Sequence, residues 1–458
     1  MNLRRAKPQM FRQLELPLRA RAEGPTPRRS EAARSATHEH QRSGTSGLME
    51  QVVETANMRS ALERVRKNKG SPGIDGMTTE QLSEHLRAHW PRIREDLLAD
   101  RYQPQPVRRG SIPKKGGGTR ELGIPCVLDR LIQQAVLQVL QTRFDPSFSK
   151  HSHGFRPGRS QRTAVCEAGQ YIAAGRQWVV DVDLEKFFDR VNHDMLMARL
   201  EQRIEDKRLL RLIRRYLNAG VMIGGVVTDR YEGTPQGGPL SPLLSNVLLD
   251  EVDRALESRG HAFVRYADDC NVYVRSKRAG ERVLRLLRRL YAKLRLRINE
   301  AKSTVARVET RQFLGFTATA EKSGKTGWRV ADKALKAMRD RVREFTSRTC
   351  GRSLHQVIEA LRSYIPGWKQ YFQPGLSPHV SERLDGWIRR RLRALLVRQW
   401  QHGTRAYQAL RAHGVDVRKA RAGAKLLPRW WHASNSGPVS LAFPKRYFDE
   451  LGLPRLVT

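Results

Sequence analysis

The sequence has few cysteines, comparatively few acidic residues and no long apolar run. Its four cysteines, Cys126, Cys166, Cys270 and Cys350, lie far apart, which excludes a disulfide framework and a zinc site built from paired cysteines. We expect buried, reduced thiols. No stretch approaches the ~20 apolar residues of a membrane-spanning helix, and no secretory hydrophobic region is present. These absences predict a soluble, intracellular protein.

The shortage of acidic residues leaves a large positive charge. The chain has 85 Lys and Arg against 46 Asp and Glu, a net charge of +39. A field of this size attracts polyanions, so nucleic acid is the predicted partner. At 458 residues and 39% hydrophobic composition, the chain is long enough to bury a large core and to divide into about three domains.

Residues 1–47 form a separate compositional segment. They are rich in Arg, Pro, Ser and Gly and lack sustained apolar periodicity, which predicts a flexible basic arm. The Arg-rich residues 1–22 fit either an organellar transit peptide or an arm that contacts RNA, and the sequence leaves this choice open.

A pair of adjacent carboxylates, Asp268 and Asp269, lies between two β-prone runs at 262–266 and 271–274. Asp tolerates the left-handed backbone of a tight turn, so we expect the pair at a hairpin tip. Adjacent carboxylates are unfavourable unless a cation neutralises them, and hard oxygen ligands of this kind favour Mg²⁺. The pair therefore predicts a metal site for phosphoryl transfer; taken alone, it also fits a solvated acidic turn.

A second acidic element begins as a β-prone strand at 178 and leads into a helix. Asn192 is the expected N-cap of that helix, which makes His193 structural. Asp181 and Asp183 share one face of the strand, and Asp189 lies beyond it. The residues alone do not decide which of these acids binds the metal.

A glycine-rich hairpin lies between Gly110 and Pro125, flanked by Lys114, Lys115 and Arg120. Glycine lets a ligand approach the backbone, and Lys and Arg donate to phosphate oxygens, so the hairpin predicts a triphosphate grip. An exposed loop with solvated charges is the alternative. Three- and four-residue spacing then predicts a buried helix, lined by Val127, Leu128, Leu131, Ile132, Ala135, Val136, Val139 and Leu140.

From about Met49 to the C-terminus, these elements resemble, in order, the reverse transcriptases encoded by group II introns, of the bacterial type that lacks an endonuclease domain. The resemblance implies an α+β right-hand polymerase fold with fingers, an antiparallel-sheet palm, a helical thumb and a basic helical C-terminal region. After the arm, the implied domains are an N-terminal extension with fingers, the palm, the thumb or maturase domain, and a basic aromatic nucleic-acid-binding region, at 48–176, 177–325, 326–402 and 403–458.

The resemblance also assigns the catalytic acids. Asp183 opens the family pattern Asp-x-x-x-Phe-Phe-Asp, and Asp268 and Asp269 close the Tyr-Ala-Asp-Asp pattern. All three are implied to be catalytic and to hold two Mg²⁺ ions. Phe188 matches the aromatic residue under the incoming sugar, where a buried, unpaired 2′-hydroxyl would be unfavourable, so the resemblance implies selection of deoxynucleotides.

The other implied site residues lie in shorter motifs. Residues that contact the nucleotide, the nascent base pair or the departing pyrophosphate are Lys114, Arg120, Gln236, Gly237 and Lys302. The hairpin implied to hold the primer end consists of Phe313, Leu314, Gly315 and Phe316.

The C-terminal part is helical in pattern and very basic. Residues 363–372 resemble the Gly-Trp-x-x-Tyr-Tyr signature of the family's thumb, with Phe372 in place of the second Tyr. Arginines that we expect to meet phosphate alternate with apolar residues at Arg383, Arg389, Arg390, Arg391, Arg393 and Arg398. The aromatic tail either stacks bases or covers the thumb. Many members of the family end in an endonuclease domain that depends on His and Cys. Since no cysteine follows Cys350, we expect this chain to have no strand-nicking nuclease domain. DNA synthesis should then be primed from an existing DNA end.

The predicted function is RNA-directed DNA polymerase, which copies RNA into DNA by two-metal nucleotidyl transfer and assists group II intron splicing and mobility. The expected partners are template and intron RNA, a DNA primer or target, and deoxynucleoside triphosphates, without a membrane. We expect the protein to be located in the bacterial cytoplasm, associated with the nucleoid. Location in an organelle is the alternative. The alternatives are a non-catalytic splicing chaperone, a reverse transcriptase recruited to phage defence or sequence diversification, and a polymerase that makes RNA. The intact acid set opposes the chaperone, and Phe188 opposes an RNA product.

Overall fold

The computed structural model describes residues 47–113, 119–223, 226–228, 231–320, 326–347 and 351–457. Residues 1–46 of the predicted arm, together with Lys114, Lys115 and Cys350, lie outside the described residues, as does the side chain of Arg120. Within these ranges no helix combines the length and the apolar character needed to cross a bilayer.

The first part of the chain consists of helices around a small sheet. Its helices are α1 (Leu48–Val52), α2 (Thr55–Asn68), α3 (Leu82–Leu98), α4 (Val127–Phe144) and α5 (Gln161–Ala173). Its strands are β1 (Val107–Pro113) and β2 (Thr119–Ile124), joined by β4 (Val221–Ile223) and β5 (Val226–Thr228). The sheet order is β2-β1-β4-β5, and β1 pairs antiparallel with β2 but parallel with β4.

The central sheet is formed by β3 (Trp178–Val182), β6 (Ala262–Tyr266), β7 (Asp269–Val274) and β8 (Thr304–Arg307). Its order is β6-β7-β3-β8, and every neighbouring pair is antiparallel. The helices between these strands are α6 (His193–Glu201), α7 (Lys207–Asn218), α8 (Ser241–Glu257) and α9 (Lys277–Lys293). Pro242 lies in the first turn of α8, where proline is favoured.

Both faces of the central sheet are covered, and alternation along each strand sends successive side chains to opposite faces. Val180 and Val272 point into a core shared with α8 and α9. Val179, Val264 and Tyr273 point to the opposite face, where they pack against α5. The antiparallel palm sheet backed by helices is therefore confirmed.

A third sheet, of three strands, follows the palm and leads into the helical C-terminal part. Its strands are β9 (Gln312–Phe313), β10 (Phe316–Ala320) and β11 (Thr326–Val330), in the order β11-β10-β9. The helices are α10 (Asp332–Phe345), α11 (Leu354–Phe372), α12 (Pro378–Gln399), α13 (Gly403–Ala412), α14 (Val417–Lys425), α15 (Trp430–Ala433), α16 (Gly437–Ala442) and α17 (Lys445–Glu450).

The thumb helices and the tail share one core. Leu384 and Ile388 of α12 belong to the same buried cluster as Leu410, Phe443 and Phe448. The sequence left open whether the aromatic tail stacks bases or covers the thumb. In the structure it packs on the thumb helices and covers them.

Two predictions about burial have different outcomes. The apolar stripe predicted for 127–140 forms α4, and its members are buried except Leu128 and Val139, which are half-buried against the same core. Cys126 and Cys270 are buried, but Cys166 is exposed, so the expectation of uniformly buried thiols was wrong. The neighbouring Val165 faces the sheet, and a helix turns the next side chain about 100° away from it.

Candidate active site

Strand pairing brings the three predicted acids to one end of the central sheet. Val182, the last residue of β3, pairs with Cys270 of β7, so Asp183 follows directly opposite Asp269. In the β6–β7 hairpin, Tyr266 pairs with Asp269, which leaves Ala267 and Asp268 as the connecting turn. The register alone therefore places Asp183, Asp268 and Asp269 next to one another.

The turn differs from the sequence prediction in one respect. The residue with left-handed backbone is Ala267, with φ 58°, and neither Asp268 nor Asp269 has a positive φ. Asp269 is already the first residue of β7. The expectation that an aspartate would adopt the left-handed conformation was wrong, because the pairing of Tyr266 with Asp269 puts Ala267 at the first turn position.

The acids form a concentrated negative charge. The pKa of the Asp269 carboxyl is raised to about 7, mainly by burial and then by the carboxylates of Asp268, Asp183 and Asp181, while Lys302 opposes the shift. Solvent nevertheless reaches the Asp269 side chain. The Asp269 carboxyl thus lies close to protein atoms and to three other carboxylates, while the residue keeps contact with solvent.

Two cations distinguish Asp183 from Asp181, a choice that the sequence left open. Asp181 Oδ2 accepts from Arg311 Nε at 2.9 Å and from Arg311 Nη2 at 2.5 Å. Asp183 Oδ2 instead lies 3.0 Å from the Nζ atom of Lys302, whose side chain is 66% exposed. The Asp183 backbone is fixed by its N–H, which donates to Ser303 Oγ at 3.0 Å. Asp181 is thus held by two hydrogen bonds from one guanidinium, whereas the partner of Asp183 is a largely solvated lysine.

The acids fit a divalent cation, although they do not form a closed metal site. Among the described residues, no group of three or more His, Cys, Asp or Glu is arranged to hold a metal ion. After burial, the carboxylates of Asp268, Asp183 and Asp181 all raise the pKa of Asp269, so these acids lie close enough to repel one another. Lys302 lies beside Asp183 where a cation is favourable. Carboxylate oxygens are the ligands that Mg²⁺ prefers, so the donor set suits this ion.

Phe188 follows Asp183 closely in the chain and lies in the short 3-10 helix Phe187–Asp189. Its ring is half-buried and packs edge-on against Phe187, with 5.2 Å between ring centroids. The Thr234 N–H donates to the Phe188 carbonyl at 2.7 Å. Gly233, with φ 87°, fits tightly here because a Cβ atom would lie 2.9 Å from the carbonyl oxygen of Phe188. The loop that follows Gly233 is therefore anchored to the Phe188 backbone.

That loop also reaches the first sheet through Gln236 and Gly237. The Gly123 N–H of β2 donates to the Gln236 carbonyl at 3.0 Å. Gly237 has φ 131°, and a Cβ atom there would lie 2.9 Å from the Gly123 carbonyl oxygen. Arg120 is in the same strand as Gly123. The loop thus links the predicted nucleotide-binding hairpin to the Phe188 turn.

His193 has a structural role, as predicted. Asn192 caps α6 by accepting from the Met195 N–H at 3.0 Å. The buried His193 ring has Nδ1 3.1 Å from Asn218 Oδ1 and Nε2 2.7 Å from the Gly233 carbonyl oxygen. The ring therefore supports the loop that carries Gln236.

The predicted primer hairpin is a tight turn attached to the thumb. Phe313 pairs with Phe316, and the two residues between them, Leu314 and Gly315, have φ 50° and 83°. Positive φ at both central positions is the geometry that matches the twist of a two-residue hairpin. The Tyr371 hydroxyl of α11 donates to the Leu314 carbonyl at 3.3 Å.

Phe372 completes this attachment. Its ring centroid lies 5.4 Å from that of Phe316 and 4.8 Å from that of Trp368. All of these contacts use the ring, so phenylalanine in place of the family's second tyrosine preserves the packing. The role of the hairpin in holding a primer stays a prediction.

We expect Gly315→Ala to loosen the hairpin. Left-handed backbone destabilises a residue with a Cβ by about 1–2 kcal/mol, and this Cβ would also lie 3.0 Å from Phe372 Cε1. Thermal unfolding measures the loss. Gly260→Ala is the matched control, because Gly260 has φ 66° and a Cβ atom added there would have no neighbour within 4 Å. Equal losses in the two variants would show that the Phe372 contact contributes nothing.

Sequence reasoning missed one residue of the site, Arg265. It is fully buried in β6, two residues before Ala267. The available signal was a charged residue inside the otherwise apolar run 262–266, which is unusual for a strand with both faces covered.

Comparison with known proteins gives a consistent result. Residues 112–318 match the family described as reverse transcriptase (RNA-dependent DNA polymerase). Residues 335–414 match the family described as group II intron, maturase-specific domain. Together the two matches span well over half of the chain.

Individual relatives cover shorter segments. Protein YkfC of Escherichia coli (strain K12) is 39% identical over 197 residues, which are 42% of this chain and 52% of that protein. Group II intron-encoded protein LtrA of Lactococcus lactis subsp. cremoris is 39% identical over 197 residues, 42% of this chain and 32% of LtrA. The solved structure of a telomerase from Candida albicans is 12% identical in sequence. The superposition covers 82% of this chain and 68% of the telomerase chain, with a TM-score of 0.41. The matched segments thus span about half or less of the curated relatives' length.

The order of the two family matches agrees with the order of the structural parts. The reverse transcriptase match contains Asp183, Asp268 and Asp269, and the maturase match begins within α10 and includes α11 and α12. The chain therefore contains a reverse transcriptase domain followed by a group II intron maturase-specific domain, and it is homologous to the group II intron-encoded protein LtrA.

Proposed function

We propose that the protein is an RNA-directed DNA polymerase that copies an RNA template into DNA by metal-dependent nucleotidyl transfer. The observation that carries this proposal is the convergence of Asp183, Asp268 and Asp269 at one end of the palm sheet. The reverse transcriptase match and the Phe188 turn support the same activity.

Asp183, Asp268 and Asp269 would hold two Mg²⁺ ions. Bound there, the ions would supply positive charge that lowers the pKa of the primer 3′-hydroxyl and neutralises the triphosphate. Lys302, next to Asp183, adds positive charge beside the acids and suits the departing pyrophosphate. By the family resemblance, Lys114 and Arg120 bind the triphosphate oxygens. The chain thus acts by positioning and electrostatics, as phosphoryl transfer requires.

Two further parts would select and orient substrates. The Phe188 ring, held by the Gly233 loop, would lie under the incoming sugar and leave a 2′-hydroxyl without space or a partner. Gln236 and Gly237 would lie beside the nascent base pair. The hairpin Phe313–Phe316 would hold the primer end, with the thumb attached behind it through Tyr371.

We also infer that the protein binds group II intron RNA and assists its splicing and mobility. The maturase-specific match and the net charge of +39 support this role. The arginines of α12 differ in their availability to phosphate. The Cζ atom of Arg390 lies 4.1 Å from the centroid of the Trp431 ring, whereas Arg383 and Arg398 are exposed to solvent. A DNA primer or target is the second polyanion, which would place the protein with the bacterial nucleoid.

Primer extension on an RNA template with Mg²⁺ tests the polymerase. We expect extension with deoxynucleotides and far less with ribonucleotides, and none after chelation of the metal. Tight RNA binding without extension would instead favour the splicing chaperone, and equal use of ribonucleotides would favour a polymerase that makes RNA. Splicing of the RNA that flanks the gene, with and without the protein, separately tests the maturase role.

A further inference from the structure

Arg265 is an arginine completely removed from solvent, beside the turn that carries Asp268. Its Nε donates to both carboxylate oxygens of Asp253 at 2.8 and 3.0 Å, and its Nη2 donates to Asp253 Oδ2 at 2.6 Å. Nη2 also donates to Ser152 Oγ at 2.7 Å, and Nη1 donates to Asn246 Oδ1 at 2.9 Å. These groups come from α8 and from a segment far earlier in the chain, and they fix the guanidinium in one orientation.

One further side-chain hydrogen bond of Arg265 reaches the turn itself. Nη1 donates to the Ala267 carbonyl oxygen at 2.9 Å. Ala267 has φ 58°, a conformation that is unfavourable for a residue with a Cβ and persists only where the surroundings impose it. The constrained peptide leads directly into Asp268, so the direction in which Asp268 projects depends on this bond.

A second contact holds the same peptide from the other side. The chain at Gly154 packs so closely against the turn that a Cβ atom there would collide with the backbone nitrogen of Ala267. Asn246 Nδ2 donates to the Gly154 carbonyl at 2.9 Å. The Arg265 N–H donates to the His151 carbonyl at 2.9 Å, and its carbonyl accepts from the His153 N–H at 2.8 Å. Asn246 therefore connects both contacts on the Ala267 peptide.

Stability alone does not account for this arrangement. Arg265 and Asp253 are both fully buried, and a buried ion pair is often matched or exceeded in stability by apolar residues of similar volume. An apolar pair, however, has no donor for the Ala267 carbonyl. The feature that requires an arginine is its fork of donors, which joins Asp253, Asn246 and the turn in one plane.

We propose that Arg265 is a positioning residue that fixes the Ala267 peptide so that Asp268 and Asp269 face Asp183 before any substrate binds. This inference rests on the proposed function of the three acids. The consequence is a metal site whose affinity depends on a side chain that touches neither the metal nor the substrate.

The test compares Arg265→Lys with Arg208→Lys. Lysine keeps the charge and loses the fork. Arg208, on α7, is also paired with two carboxylates, Asp206 and Glu50, and lies in a different ion-pair network.

For Arg265→Lys we expect Mn²⁺ affinity, measured by electron paramagnetic resonance without nucleotide, to fall about 10-fold or more, as for other residues that orient metal ligands. The single-turnover rate of deoxynucleotide addition should fall about 100-fold, with primer–template affinity by fluorescence anisotropy unchanged. Arg208→Lys should change none of the three.

Two milder variants apply if Arg265→Lys does not fold, as judged by thermal unfolding. Ser152→Ala removes one hydrogen bond to Arg265, and Asn246→Ala removes its bonds to both Arg265 and Gly154. We expect Mn²⁺ affinity to fall in both, and further in Asn246→Ala. Wild-type Mn²⁺ affinity in every folded variant would overturn the inference. A wild-type protein that extends no primer would overturn the proposed function instead, and the Mn²⁺ comparison would still decide the role of Arg265.

Discussion

Asp183→Asn should reduce DNA synthesis by at least about 1,000-fold, because a metal contributes several kcal/mol to charge stabilisation in the transition state and each ~1.4 kcal/mol is a factor of ten. Asparagine keeps the shape of the side chain but removes the charge opposite Asp269 and the partner of Lys302. Single-turnover primer extension on an RNA template measures the rate.

RNA affinity provides the internal comparison for this variant. Removing one negative charge from a chain of net charge +39 should leave RNA binding nearly intact. Asp194→Asn is the matched control: it makes the same chemical change at an exposed aspartate whose partner is Arg214. Polymerisation by Asp183→Asn within about tenfold of the control would refute the catalytic assignment, and Asp268→Ala should behave as Asp183→Asn does.

Phe188→Ala should relax sugar discrimination. Removing the half-buried ring opens space where a 2′-hydroxyl would otherwise be buried without a partner, a penalty of about 1–3 kcal/mol. The ratio of kcat/KM for ribonucleotides to that for deoxynucleotides should therefore rise by about 10- to 100-fold. Competition between the two nucleotide types in single-addition assays gives this ratio directly.

Phe345→Ala controls for loss of an aromatic ring elsewhere. Phe345 is also half-buried and packs edge-on against an aromatic neighbour, Tyr364, with 5.8 Å between centroids. Its removal from the thumb should leave the sugar ratio unchanged, whatever it does to primer binding. A Phe188→Ala variant whose ratio equals that of Phe345→Ala would show that Phe188 is only a packing residue.

The sequence was sufficient for features that depend on neighbours in the chain. The β-prone runs beside Asp268 predict a hairpin, and strand alternation places Asp181 and Asp183 on one face. Asn192 capped its helix as expected because an N-cap bond spans only three residues. Each of these inferences needs only local backbone geometry.

Features that depend on distant partners were beyond such reasoning. The contacts that distinguish Asp181 from Asp183 come from Arg311 and Lys302, which lie 130 and 119 positions later in the chain than the acids they contact. The left-handed residue was misplaced because it depends on strand register. Arg265 was overlooked because its partners Asp253 and Ser152 meet it only after α8 and β6 have packed together.

The core shared by the thumb and the tail extends beyond the segment that matches the maturase-specific family. The maturase-specific match ends at residue 414, but Phe443 and Phe448 fill the same apolar cluster as Ile388 of α12. The residues that pack together here therefore extend past the matched segment, and residues as far as Phe448 complete the hydrophobic core of the thumb helices.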